Sequence, residues 1–210
     1  MGKRDAASFF RAFLNNPRQV GAVMPSGKAL AAAMVRGIDA ALSGGKTVVE
    51  FGPGTGAFTS AILRAKPGDS AYVGIELDRH FVKTLTRRFP AERFPGTNIV
   101  HGSAEHASEL VAQLGVGDVG LIVCGLPFAS LPRPVRSKIV RNVDDLLGQS
   151  GGGAFRTFQY VHASKMRSAR AFRHHMDQRF GQGSRCKPVV GNVPPAFVLE
   201  WTRSVEPVVA

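Results

Sequence analysis

Two acids and three alternate glycines are the residues of this chain best placed to do chemistry: Glu50-Phe51-Gly52-Pro53-Gly54-Thr55-Gly56, and Glu76 twenty residues past the last glycine. Val48 and Val49 read as a buried β-branched strand, and the glycines as the turn that ends it. A side chain at those positions would hold a ligand away from the backbone, and glycine tolerates the φ > 0 that such a turn needs. Phe58 to Leu63 then carries the apolar stripe of a helix. Glu76 closes a second apolar run, Tyr72-Val73-Gly74-Ile75. An acid at that distance suits a ribose diol lying across the tips of adjacent parallel strands. Dinucleotide folds use G-x-G-x-x-G to bring a pyrophosphate to a helix N-terminus. Here the pattern is E-x-G-x-G-x-G, whose acid repels a pyrophosphate but suits a cationic amino-acid moiety. The ligand predicted is a nucleoside bearing positive charge.

The elements that must position these residues follow from the apolar pattern. Strands are expected near 47–51, 71–76, 97–101, 119–124 and 153–160, with helical or loop segments between them. Such alternation predicts a parallel sheet with helices on both faces. Ligands of such sheets bind beyond the carboxyl ends of the strands. The glycine turn, Glu76, Gly102-Ser103-Ala104, Gly125-Leu126-Pro127-Phe128 and Tyr160 all follow predicted strands, so they should converge on one rim. Before the first strand, one helix is expected over residues 4–15, stopped at Asn16-Pro17. Its residues Ala6, Phe9, Phe10, Phe13 and Leu14 fall within an arc of roughly 140°. A second helix is expected from about Lys28 to Ala41, with Ser26 as its N-cap. Residues 162–187 read as a basic insertion, with Asp177 as their one acid and Met166, Ala169, Phe172, Met176 and Phe180 at helical spacing. A closing pair of strands is expected at 186–190 and 196–203.

With 210 residues, the chain fits one domain, 26–205, preceded by a helix and linker over 1–25. No window approaches the roughly 18 to 20 apolar residues of a spanning helix, and the first residues lack the apolar centre of a secretory signal. Two cysteines without a CxxC pair exclude a disulfide scaffold and offer no zinc site, so no metal and a reducing cytoplasm are expected. Lys and Arg number 27 against 15 acids, a formal charge of +12. Such a field attracts polyanions, either nucleic acid or the anionic face of a membrane.

The Glu50–Gly56 turn with Glu76 resembles the first motifs of the class I S-adenosylmethionine (SAM)-dependent methyltransferases. That resemblance implies a Rossmann-like α/β fold with a seven-stranded, mostly parallel sheet, here with an N-terminal amphipathic helical extension. Gly125-Leu126-Pro127-Phe128 resembles the Asn-Leu-Pro-Tyr element of the ribosomal RNA adenine dimethylases. In that family the first side chain binds the adenine amine and the aromatic stacks on the base; here the first position is glycine. The wider resemblance is to the bacterial phospholipid N-methyltransferases, a related branch. It rests on Asn16-Pro17 with Val20-Gly21-Ala22-Val23-Met24-Pro25-Ser26, on Gly125-Leu126-Pro127 with Ser130-Leu131-Pro132, on Phe158-Gln159-Tyr160 and on Asn192-Val193-Pro194-Pro195-Ala196. It spans residues 9 to 203. Gln159 and Val161-His162 depart from it, where a smaller polar residue and Gly-Pro are usual.

The resemblance implies methyl transfer from SAM, leaving S-adenosylhomocysteine, to the amine of phosphatidylethanolamine and its methylated forms. Glu50, Gly52, Pro53, Gly54, Thr55 and Gly56 are expected to cradle the methionine part of the cofactor. Glu76 and Leu77 should hold the ribose, Ser103 and Ala104 should border the adenine, and Gly125, Leu126 and Pro127 should line the transfer point. Met24 and Ser26 are expected to cap the cofactor. A primary ammonium must lose a proton before it is methylated, and Tyr160 (orienting the amine) and His162 (accepting the proton) are the candidates. The partners expected are a phospholipid substrate and an anionic membrane surface, met by the N-terminal helix and the basic insertion, at the inner face of the cell membrane, with no nucleic acid. Lys3, Arg4, Arg11 and Arg18 could each contribute about 1 kcal/mol near such a surface. The alternatives are an RNA adenine N6-methyltransferase, which the charge would serve equally well, and a methyltransferase for another aminolipid such as ornithine lipid. A third is a membrane-binding module that holds SAM without turnover.

Overall fold

The computed structural model describes residues 27–128 and 131–204. The expected helix over residues 4–15, its phenylalanine stripe, Met24 and Ser26 lie outside the described residues. The chain builds α1 (Lys28–Met34), α2 (Ile38–Ala41), β1 (Thr47–Phe51), α3 (Ala57–Ala65), β2 (Tyr72–Glu76), α4 (Arg79–Arg88) and β3 (Thr97–His101). A 3-10 turn, Ala104–His106, then leads into α5 (Ala107–Gln113), β4 (Val119–Cys124), α6 (Arg133–Gln149) and β5 (Gly153–Tyr160). The chain closes with α7 (Arg167–Phe180), β6 (Ser184–Arg185) and β7 (Ala196–Arg203).

The seven strands form one sheet in the order β3-β2-β1-β4-β5-β7-β6. The pairs from β3 through β5 are parallel, and β7 runs antiparallel to both β5 and β6. Alternate side chains feed two apolar layers, as a sheet covered on both faces requires. Val49, Phe51, Val73, Ile75, Ile122 and Phe155 pack with α6 and α7 on one face. Val48, Tyr72, Leu121, Val123 and Val198 pack with α1, α2 and α3 on the other. Parallel register carries Phe51 beside Ile75 and Cys124, and Glu76 beside His101, so the ends of four strands come level.

The first five strands stand where their apolar runs placed them, while three other expectations need correction. The helix expected over 28–41 is two helices, because Gly37 takes a left-handed φ of 65° and the chain turns there. Residues 162–187 are no insertion. Ala169, Phe172 and Met176 of α7 are buried in the main core, so this segment is one of the fold's own layers, with its arginines outside. The sixth strand is two residues long, at 184–185 rather than 186–190. Pro188 cannot donate to a ladder, and pairing beyond Arg185 reduces to a single bridge between Val189 and Ala196.

Arg156 of β5 explains how the broken helix is held. Its Nη1 donates to the carbonyls of Met34 (2.8 Å) and Arg36 (2.9 Å), and its Nε donates to Glu200 of β7 at 2.6 Å. One nearly buried guanidinium thus caps the end of α1 and ties it to two strands. Removing one member of a buried pair strands the other, at roughly 3 kcal/mol or more. An Arg156→Ala protein is therefore expected to melt about 6 to 12 °C below the parent, given roughly 2 to 4 °C per kcal/mol at this size. A thermal scan showing no shift would refute the role.

Candidate active site

The glycine turn is built by packing as much as by ligand access. Gly52, Gly54 and Gly56 have φ of 67°, 56° and 83°, a region that disfavours any side chain. A Cβ on Gly52 would lie 2.3 Å from Leu126 Cδ2, and one on Gly56 would lie 2.9 Å from Leu85 Cδ2. Only Gly54 opens onto free space. The expected close approach of a ligand therefore applies to Gly54, and the outer two glycines are demanded by the protein's own interior. Pro53 is buried, Thr55 is exposed, and Gly56 N-caps α3.

Glu76 ends β2 beside this turn. The Gly54 N–H donates to its Oε2 and the Asp78 N–H to its Oε1, each at 2.9 Å. A carboxylate offers about four lone-pair positions, so each oxygen keeps capacity for one more donor. A pair of vicinal hydroxyls has the matching donor set. Burial pushes the Glu76 pKa up, and the same two backbone N–H groups pull it back down. Asp78 fixes the next helix, accepting from the His80 N–H at 2.7 Å.

A cleft of about 290 Å³, its open mouth included, lies along these strand ends. Gly52, Leu77, Ser103, Ala104 and Leu126 line it, all of them expected from the sequence, together with Ile75 and Gly102 from the same rim. Ile139 of α6 completes the lining and had no signal of its own, because its place in an apolar helical stripe reads as core. Two wider grooves exist, one between α1 and α3 and one between α1 and the β6–β7 edge. Neither is lined by Gly52 or by the residues that follow β2, β3 and β4, so the chemistry belongs to the smaller cleft; Glu76 itself is wholly buried and lies behind its lining, next to Ile75 and Leu77.

Glu50 departs from its expected place in the cradle. It is fully buried on the α3 side of the sheet and does not line the cleft. Its Oε2 accepts from the hydroxyls of Thr59 (2.8 Å) and Tyr72 (2.6 Å), while its Oε1 has no hydrogen-bond partner among the described residues. Burial raises its pKa from 4.5 to about 7 despite those two hydroxyls. Such a group suits a field acting on a cation from beneath the turn.

On the acceptor side, Gly125 of the Gly125-Leu126-Pro127-Phe128 element lies against β1: its N–H donates to Phe51 O at 2.8 Å. Phe128 is buried, its ring tilted at 38° to Phe172 with centroids 4.7 Å apart and edge-on to Phe155 at 5.9 Å. Tyr160 and His162 lie outside the cleft lining, at the end of β5, two strands from β1 or about 10 Å at ordinary spacing. Their rings stack, with centroids 5.7 Å apart and planes 14° apart, and Phe158 meets Tyr160 edge-on. Burial raises the Tyr160 pKa, so its phenol stays neutral and is no base near pH 7. Gln159 points the other way, accepting from Arg173 of α7. Among the described residues no group of side chains could hold a metal ion.

Glu50 yields a pH prediction. Its folded pKa of about 7 stands above the unfolded value of 4.5, so its contribution is complete below 4.5 and lost as pH rises through 7. The loss is on the order of 3 kcal/mol. A Glu50→Gln protein keeps the acceptor without the charge. Urea unfolding without cofactor should find it equal to the parent at pH 4 and more stable at pH 8. Parallel stability curves across that range would discard the assignment.

No family model matches the chain. It is similar to an ornithine lipid N-methyltransferase of Singulisphaera acidiphila, 28% identical over 148 residues, covering 70% of this chain and 75% of that protein. It is also similar to ribosomal RNA small subunit methyltransferase A of Gloeobacter violaceus, 34% identical over 116 residues, 52% of this chain and 41% of that one. Among solved structures, the O-methyltransferase TomG of Streptomyces achromogenes, determined with SAM, shares the fold with a TM-score of 0.60 at 16% identity, over 95% of this chain and 91% of that one. The sheet order and these solved structures give the chain the fold of the class I SAM-dependent methyltransferases, and the relatives support S-adenosyl-L-methionine as its cofactor.

Proposed function

We propose that this chain methylates the primary amine of a membrane aminolipid, with phosphatidylethanolamine and ornithine lipid as the candidate headgroups. The observation that carries this reading is the acceptor element itself. Gly125 offers no side chain to an adenine edge, and Phe128 is turned into the core where no base can stack on it. Both features of the dimethylase site are thus missing from a chain that otherwise resembles it. The similarity to an ornithine lipid enzyme supports an aminolipid over RNA and brings ornithine lipid level with phosphatidylethanolamine.

SAM fits the residues present: Gly54 leaves open space over the turn, Glu76 keeps two acceptor positions for a ribose diol, and the unpartnered oxygen of Glu50 lies beneath. When bound, SAM supplies a methyl carbon already activated by the sulfonium. The protein's share is then orientation, which can be worth roughly 7 to 11 kcal/mol. Glu76 and Gly54 would hold the nucleoside, and Leu126 and Ile139 would supply apolar wall to the cleft beside them. Tyr160 receives the amine as a neutral phenol, with a ring face that also attracts methylated ammonium. His162, exposed and stacked on that ring, takes the proton toward solvent.

Three outcomes are expected. Glu76→Gln should weaken SAM binding by about 10- to 100-fold in calorimetry, the worth of hydrogen bonds to a charged group. Labelled SAM offered with vesicles holding phosphatidylethanolamine or ornithine lipid, and separately with structured RNA, should label lipid amine. Tyr160→Phe should lower turnover without changing SAM affinity. Label appearing in RNA alone would overturn the reading.

A further inference from the structure

Four large apolar side chains are exposed among the described residues: Leu114 at 38%, Met166 at 57%, Val193 at 72% and Val190 at 77%. Leu114 follows α5 and precedes β4, at the far end of the sheet from the cleft. The other three belong to connections at the cleft end. Met166 precedes α7 in the connection that leaves β5. Val190 and Val193 lie in the β6–β7 connection, and antiparallel pairing of β7 with β5 sets Ala196 beside Tyr160, so this connection rises at the same rim.

The two connections are joined. The Val161 N–H donates to Pro195 O at 2.9 Å. Asn192, buried beneath the valines, accepts from the Gly27 N–H at 2.7 Å and donates to Pro194 O at 2.6 Å. Val189 N–H donates to Ala196 O at 2.7 Å. The valines are thus presented from a fixed loop rather than from a slack one. Cations flank them: Lys165 and Arg167 on either side of Met166, and Lys187 before the valines. Neither residues 161–167 nor residues 186–195 contain an acid. Apolar tips among unopposed cations, beside a substrate site, complement an interface with apolar depth and negative surface charge.

We infer that the connections after β5 and β6 form one docking edge, with Met166, Val190 and Val193 as its apolar tips, and that its partner is the anionic surface of a phospholipid bilayer. The edge gains its meaning from the aminolipid reading, since it would set the acceptor rim on the membrane that holds the substrate. It does not require turnover to be observed.

The test is sedimentation of the full chain with vesicles of phosphatidylcholine containing a minority of phosphatidylglycerol. The paired substitution Val190→Asp with Val193→Asp should reduce bound protein by roughly tenfold or more, while Leu114→Asp at the opposite end binds as the parent does. As a second readout, Val193→Trp should lose its fluorescence to brominated lipid, whereas Trp201, buried in the core, should not. Turnover of a short-chain aminolipid kept below its micelle threshold separates the two readings. If the parent methylates that lipid but the paired variant still binds vesicles fully, the docking edge is overturned and the aminolipid reading stands. If no aminolipid is methylated but the paired variant loses vesicle binding, the edge stands and the substrate reading falls. A parent dimer made monomeric by the same pair, with vesicle binding unchanged, would assign the surface to a second copy and overturn the proposal.

Discussion

Close backbone approach where β1 and β4 end governs the whole rim. A Cβ on Gly125 would lie 2.7 Å from the Gly52 carbonyl oxygen, and one on Gly52 would strike Leu126. Two strands can meet this tightly only without side chains at the crossing. The approach turns Gly54 outward, where its N–H reaches Glu76, and that bond locks the turn of one strand to the acid of its neighbour. The same contact limits the acceptor side. An asparagine at position 125 has no room on this backbone, so the absence of an adenine-binding side chain is a consequence of how the sheet closes.

The sheet was legible because its strands are short apolar runs rich in β-branched residues, buried on both faces and bounded by glycine or a polar turn. The helices were read less well, for local reasons. Residues 28–41 keep an apolar stripe through Gly37, and nothing in that stripe reveals a left-handed residue stabilised by a distant arginine on β5. In α7 the seven cations around 162–187 outweighed the stripe of Ala169, Phe172 and Met176. The stripe was the better guide. Charge reports what faces water, whereas apolar spacing reports what the element is packed against.

The site divided in the same manner. Gly54, Glu76, Ser103 and Leu126 could be placed because each follows a strand, and parallel strands end together. Glu50 could not be placed by that rule, since it lies within a strand, where parity decides its surroundings. It shares a face with Val48 and lies opposite Val49 and Phe51, which puts it under α3 rather than in the cleft. That signal was available in the alternation. Phe128 is different: its direction depends on Phe172, more than forty residues away in a helix whose position the sequence did not fix.

Electrostatics then assigns the protein's two signs of charge to two tasks. The surface excess of cations acts over a distance comparable to the Debye length, about 8 to 10 Å in physiological salt, and draws the chain toward polyanions. Glu50 and Glu76 lie beneath the rim, in a region stripped of water where a charge is felt far more strongly. Burial makes ionisation of both costly, with Glu50 raised to about 7. A cation over the turn favours the ionised form, so its arrival must shift that equilibrium toward proton release. A buried acid whose ionisation is costly thus responds to a cation placed over the turn, a response that the basic exterior neither supplies nor cancels.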